Sequence, residues 1–304
     1  MPEGHRADEN QDWKILLYYQ YVEIENPEEF TYHHLKFCKE LGLKGRIRIP
    51  KLVINRTVDG PDKACDTYMN VILQDPRFAD MQFKTSRGSN KTFKKMFVRT
   101  RPELVTMQYE EPLDPNTDGG THMEPEELKK LYDQDEDFVI IDMRNKYEAD
   151  IGKFKNAVVL EMENWKELPE IVEKELMKYK YKKVVTYCTG GIRCETGSAL
   201  LKKKGFKDVS QLHGGIHQYV QKFPEDHWEG ELYVFDERVS IKVNDKVLGS
   251  CFHCETACSY YINCTNVDCN KMMIMCPACR AEWNDGCSKD CSAKPRPPHL
   301  ARPR

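Results

Sequence analysis

Residues 183–205 read KVVTYCTGGIRCETGSALLKKKG. The apolar, β-branched run VVTY ends at Cys188, the turn TGGIR follows, and CETGSALLKKKG carries helix formers up to a glycine stop, so the stretch predicts strand, loop and helix. Cys188 then sits where the strand gives way to the loop. Backbone N–H groups of a glycine-containing loop can point inward, and a helix N-terminus adds positive potential; together they favour a thiolate. A thiol held ionised is a nucleophile. Gly190 and Gly191 remove side chains where backbone must crowd the sulfur, Thr189 and Ile192 complete the loop, and Arg193 places a permanent cation at its far end. The competing reading is an inert buried thiol closing a core strand.

Outward from this stretch the pattern repeats in short units. PEELKKLYD reads as helix, FVIID as strand, WKELPEIVEKELMKY as helix, VSQL as strand and GGIHQYVQKF as helix. Repeated βα units predict a parallel sheet with helices on both faces over 124–230, with functional loops beyond the strand C-termini. Asp142 and Arg144 end one of those strands. They are either a solvated surface pair or a support for the cysteine loop. Cys194, six residues after Cys188, is expected in the first turn of the helix as a structural residue, the alternative being a partner that resolves a sulfenic acid or persulfide on Cys188.

Residues 13–109 differ. ILLYYQYVEI reads as a buried strand, PEEFTYHHLKFCKELGL as an amphipathic helix, and GRIRIPKLVINRTV as further strand; a helix through Ile72 and strands near 81–85 and 95–99 follow. The order βαββαβ predicts a ferredoxin-like sandwich. EEPLDPNTDGG, with two prolines and two glycines, marks a linker over 110–123. The start, 1–12, is a polar tail. The end, 292–304, carries four prolines and four basic residues and is expected to be disordered.

Forty-six Lys and Arg oppose 49 Asp and Glu, a formal charge of -3, so any nucleic-acid contact must be local. No apolar stretch approaches a membrane span and the start is too polar for a secretory leader; a soluble, cytoplasmic chain with no membrane partner is expected. Two runs are basic and free of acids. One contains Lys44, Arg46, Arg48, Lys51 and Arg56; the other extends from Lys84 to Arg101 and includes Lys94 and Lys95. They read as an RNA-binding stripe, with Phe93 and Phe97 nearby for stacking or core packing, or as ordinary solvated faces.

Nine of the 13 cysteines fall between Cys251 and Cys291. Without an export signal they suggest thiols and metal ligands rather than disulfides. Cys251, Cys254, Cys276 and Cys279 form two C-x2-C pairs suited to tetrahedral zinc. Cys258, Cys264, Cys269, Cys287 and Cys291 would complete a second site with one cysteine over, or mix with the first group; free thiols and an iron–sulfur cluster are the alternatives. His253 reads as a flanking residue. Residues 231–291 are thus a small Cys-rich extension stabilised by metal rather than by a large core.

CTGGIRCE, the upstream IDMRNKYE and the later LHGGI resemble a rhodanese domain, in which the loop cysteine carries a persulfide. The resemblance implies that role for Cys188, stabilisation by residues 189–193, and loop support by Asp142 and Arg144. The Cys-x4-Arg loop is one residue shorter than that of the related phosphatases, which favours a sulfur-sized occupant over phosphate. LLYYQYVEIENPEEF, HLKFCKELGLKGRI, DPRFADMQFK, FKKMFVR, YVFDER and CNK extend the likeness over nearly the whole chain to the rhodanese-type tRNA uridine hydroxylases. That family implies an N-terminal ferredoxin-like or acylphosphatase-like domain, a central rhodanese domain and a Cys-rich extension. It also implies formation of 5-hydroxyuridine at the tRNA wobble position with molecular oxygen as co-substrate, and tRNA rather than DNA as partner. The residues themselves specify no oxygen-activating group: there is no haem motif, no dinucleotide G-x-G-x-x-G and no two-His-one-carboxylate arrangement. The alternatives are a sulfurtransferase working through a Cys188 persulfide and a non-catalytic RNA-binding module, against which the intact Cys188 and Arg193 argue. The chain departs from the family where Glu-Gly-Ile-Asn-Gly-Thr is usual and residues 52–57 read LVINRT. Lys153 likewise stands where many relatives have histidine. Both changes put substrate contact in question before rhodanese chemistry.

Overall fold

The computed structural model describes residues 13–90, 92–100, 107, 109 and 113–294. The polar stretch 1–12 and all but the first three residues of the basic tail fall outside them. The N-terminal domain runs β1 (Trp13–Tyr21), α1 (Pro27–Glu40), β2 (Lys44–Ile49), β3 (Val53–Pro61), α2 (Asp62–Gln74), β4 (Lys84–Arg87) and β5 (Met96–Thr100). Its sheet order is β4-β1-β3-β2-β5. The first four strands are antiparallel neighbours in ferredoxin-like order. β5 is an addition to the expected βαββαβ, lying parallel to β2 at the sheet edge. The alternation of Met96, Phe97, Val98 and Arg99 explains it: Met96 and Val98 enter the core beside Ile47 and Ile49 while Phe97 and Arg99 face outward. Phe93 is buried and so serves packing. Leu16, Tyr18, Ile47 and Val58 belong to this core. The other sheet face, carrying Leu17, Tyr19, Arg46 and Arg48, is left to meet the rest of the molecule.

The central domain comprises α3 (Pro115–Asp118), β6 (Thr121–Met123), α4 (Pro125–Asp133), β7 (Phe138–Asp142), α5 (Lys146–Ala149), β8 (Gly152–Phe154), β9 (Val158–Val159), α6 (Leu168–Ile171), β10 (Lys183–Tyr187), α7 (Ile192–Lys203), β11 (Asp208–Leu212) and α8 (Gly215–Lys222). All pairings in its sheet, β6-β11-β10-β7-β9, are parallel. Separate apolar clusters form around it, one with Ile141, Val184 and Leu200 and one with Ile140, Val185 and Tyr219. β10 is the central strand, so Cys188 leaves the middle of the C-terminal edge. The end of the expected linker is not structureless. Residues 115–118 make a helical turn and 121–123 pair with β11, because Gly120 lets backbone pass against Ser198, whose Oγ accepts its N–H at 2.7 Å. Three residues are too few for a periodicity signal.

β12 (Trp228–Tyr233) pairs antiparallel with β8 and with β13 (Ser240–Lys242). Leu232 and Ile241 join the central core, so the extension starts as an added sheet and only then becomes cysteine-rich. Its last part holds β14 (Tyr261–Asn263), β15 (Met272–Ile274), α9 (Pro277–Glu282) and α10 (Lys289–Ser292). Among the described residues no helix is long and apolar enough to cross a membrane.

Candidate active site

Cys188 is 1% exposed at the end of β10. Gly191, at φ 104°, caps α7 and donates its N–H to Cys188 Sγ at 3.1 Å. Burial alone would raise the thiol pKa. A hydrogen bond from Cys194, the charge of Arg193 and the N–H groups of Arg193 and Gly191 outweigh it, and the pKa falls to about 5. The same contact, after burial, pushes Cys194 well above an ordinary thiol, so Cys194 is the proton-bearing partner of the pair.

The loop is gripped from two sides. Ile216 and His217, at the start of α8, donate N–H groups to the carbonyls of Cys188 at 3.0 Å and Thr189 at 3.1 Å. Gly215 makes this approach possible. At φ 64° a Cβ there would lie 2.5 Å from the Cys188 carbonyl oxygen and 2.8 Å from the Gly191 nitrogen. Gly215→Ala is therefore expected to cost about 1–3 kcal/mol in urea unfolding and to raise the Cys188 pKa, read from thiolate absorbance against pH.

On the other side Arg193 forms a two-pronged pair with Glu148, at 2.6 and 2.7 Å. Glu148 is fully buried and opens α5 as the third residue of a capping box with Asn145. Arg144 donates to the Glu148 carbonyl at 3.2 Å and to Gly152 O at 2.6 Å, and grips Asp142 at 2.9 and 2.6 Å. Tyr187, directly before Cys188, donates its hydroxyl to Asp142 at 2.7 Å. Asp142 and Arg144 have no exposed surface, which rules out the solvated pair. They connect the ends of β7 and β10 to the segment that holds Arg193.

The open face of the N-terminal sheet covers the loop. A Cβ on Gly190 would touch Leu17, one on Gly191 would lie 2.7 Å from Tyr19 Oη, and Lys84 Nζ donates to Gly190 O. Burial pushes Lys84 down to about 8. Tyr19 Oη donates to Glu195 at 2.9 Å; that carboxylate also accepts from Gln211 at 2.7 Å and pairs with His122 at 3.0 Å. Burial opposes its charge, but His122, Gln211 and Tyr19 hold its pKa below the usual range. Beside the loop a cleft of about 720 Å³ between the two domains is lined by Tyr19, Tyr21, Lys84, His122, Glu195 and His213, within the size range of small-ligand sites. Glu148, Glu195 and Tyr19 escaped sequence reasoning. Only Glu148 left a local trace, the Asn-x-x-Glu capping pattern.

The basic residues reach this face unequally. Arg46 pairs across the sheet with Phe97 and Thr57, and Thr57 with Leu17; Arg48 pairs with Arg99 and Asn55, and Asn55 with Tyr19. Directly opposed residues share a face, so Arg46, Arg48 and Arg99 lie in the rows that end at Leu17 and Tyr19. Two strand spacings, about 10 Å, separate Arg48 from Tyr19. Lys95 and Arg99 flank the Phe97 ring, at 4.9 and 5.3 Å from its centre, and Lys94 is exposed beside them. Lys44 departs from the expected stripe: it is half-buried and donates to Asn90 O at 3.0 Å. Of the altered LVINRT segment, Val53 is 4% exposed and so belongs to the interior, whereas Leu52 is 61% exposed.

In the extension, the sulfurs of Cys251, Cys254, Cys276 and Cys279 lie within 4.8 Å of one another. His253 is stacked on Trp283 at 4.0 Å and contacts Gly286 O through Nε2 at 2.9 Å, apart from the four sulfurs.

Residues 124–222 match the rhodanese-like domain family, 229–292 the rhodanase C-terminal family and 13–104 the UPF0176 acylphosphatase-like domain. A cysteine loop at the C-terminal edge of a parallel sheet, joined to that N-terminal partner, defines a multidomain rhodanese-type protein. The tRNA uridine(34) hydroxylase of Bacillus licheniformis is 46% identical over 290 residues, 93% of this chain and 89% of its own length. That of Oceanobacillus iheyensis is 44% identical over 295 residues, 95% and 91% of the two chains. The chain belongs to the tRNA uridine(34) hydroxylase family.

Proposed function

We propose that the chain hydroxylates the wobble uridine of tRNA to 5-hydroxyuridine in the cytoplasm, with molecular oxygen as co-substrate. The observation that carries this reading is the close likeness, over nearly the full length, to proteins bearing that name. The site supports it. Cys188 is the central reactive residue; the N–H groups of Gly191 and Arg193, the contact from Cys194 and the charge of Arg193 keep it ionised within the loop 189–193, and Asp142 and Arg144 act as positioning residues through Tyr187 and Glu148. The interdomain cleft is large enough for a nucleotide. Arg46, Arg48, Lys94 and Lys95, with Arg99, supply the backbone contacts that bring tRNA across the open sheet face, while half-buried Lys44 contributes at most at the border.

The deciding measurement is mass spectrometry of tRNA nucleosides from cells lacking the protein and from cells complemented with it. Loss of 5-hydroxyuridine-derived nucleosides on deletion, restored by the wild type, is expected; an unchanged pool rejects the activity. One observation favours a second reading. A buried thiolate bonded by loop amides, here those of Gly191 and Arg193, is also what a persulfide carrier requires, so thiosulfate-to-cyanide transfer lost in Cys188→Ser would mark a sulfurtransferase.

For the RNA face, Lys94→Glu with Lys95→Glu is expected to weaken tRNA binding about tenfold and to flatten its salt dependence by about one unit of slope per lost phosphate contact. Unaltered affinity at low salt removes these residues from the interface. The four sulfurs of Cys251, Cys254, Cys276 and Cys279 suit a structural zinc ion, which would supply folding free energy to a segment of little apolar core.

A further inference from the structure

The five cysteines left over are divided by the fold. Cys264, Cys269, Cys287 and Cys291 bring their sulfurs within 4.8 Å of one another, and Cys258 is excluded. Cys269 and Cys287 are 3.6 Å apart, Cys287 and Cys291 3.7 Å. A tetrahedron with zinc–sulfur bonds of about 2.3 Å has edges of about 3.8 Å, whereas a disulfide would bring two sulfurs to about 2 Å. None of the 13 cysteines is joined to another by a disulfide.

Each pair is set on a turn fixed by backbone bonds. Between Cys264 and Cys269, the N–H of Asp268 bonds Asn266 Oδ1 at 3.1 Å and that of Asn270 bonds Asn266 O at 2.8 Å. Ser288 Oγ accepts the Cys291 N–H at 3.2 Å, capping α10. Asn266 Nδ2 points at Cys291 Sγ at 3.5 Å, as a donor beside a thiolate should. The N–H of Thr265 bonds Asp285 O at 2.8 Å, which ties the turn after Cys264 to the segment leading into Cys287.

We infer that Cys264, Cys269, Cys287 and Cys291 form a second zinc site, interleaved with the first. In chain order the pairs alternate: 251 and 254, then 264 and 269, then 276 and 279, then 287 and 291. Neither set can close without the chain passing through the other. The inference extends the structural-zinc reading of the first cluster but is tested apart from it. The apolar cluster here consists mostly of cysteines with Ile151, Met273, Ile274 and Met275, too little to order the segment without cross-links. Two interleaved ions would cross-brace it.

The test uses the full-length protein purified with zinc. Elemental analysis is expected to give about two zinc ions per chain, one for each four-thiolate set, and Cys264→Ser with Cys269→Ser should remove at least one. Residue-resolved alkylation, with zinc and after chelation, decides the matter even if that variant unfolds the segment. Zinc-dependent protection of Cys264, Cys269, Cys287 and Cys291 in the wild type supports the second site. Protection confined to Cys251, Cys254, Cys276 and Cys279 overturns it while leaving the first standing; protection of the second group alone upholds it and rejects the first. A Cys269–Cys287 disulfide, or visible absorption of an iron–sulfur cluster, also overturns it.

Discussion

Cys188→Ser is expected to lower wobble-uridine hydroxylation by at least about a thousandfold, the scale of losing the reacting group from a site that still binds. Serine fits the space but stays protonated, since the loop amides and Arg193 that bring a thiol to about 5 start, with a hydroxyl, from a far higher pKa. The variant should fold and bind tRNA as the wild type does, so the nucleoside pool measured in complemented cells reports chemistry alone. Wild-type levels of the product in this variant would remove sulfur from the reaction.

Arg193→Ala is the second large effect. It leaves Glu148 charged, fully buried and without its two-pronged partner, which should cost about 3–5 kcal/mol in urea unfolding. It also takes a cation from Cys188 and leaves an anion nearby, so the thiolate titration moves upward from about 5. The sign of the pH dependence follows. The folded thiol ionises well below the ordinary thiol value of 9.0, so its contribution to stability is complete above pH 9, declines as pH falls, and is gone once pH drops below about 5. The variant should lose part of that dependence. Arg193→Lys should restore little, because a lysine cannot offer both Glu148 oxygens parallel donors. Unchanged stability together with an unchanged thiolate titration would mean that the Arg193–Glu148 pair does not hold the loop.

The cysteine loop was legible because its determinants are local: an apolar strand, two glycines and a helix start within a dozen residues of Cys188. Asp142 and Arg144 were legible as residues at a strand end, but their complete burial depends on Tyr187 and on backbone near 148 and 152, which sequence spacing does not bring together. Glu195 and Tyr19 meet across 176 positions, so no window of sequence contains the pair. The same holds for the division of nine cysteines. Spacing marks the C-x2-C pairs, yet only the folded turns choose Cys264 over Cys258. β6 escaped because it is too short to show a period, whereas the strand near 95–99 was legible and only its place beside β2, outside the βαββαβ order, is a tertiary choice.

Leu17 and Tyr19 lie against the loop glycines Gly190 and Gly191, and the sulfur those glycines flank, its pKa brought down to about 5, is 1% exposed. Electrophiles dissolved in the cell reach that atom only in moments when sheet and loop separate, so glutathione adducts and peroxide damage should accrue far more slowly than its acidity alone would suggest. The polyanion would dock on the very surface that forms the roof. Reactivity would then be released by the arrival of the molecule it is meant for.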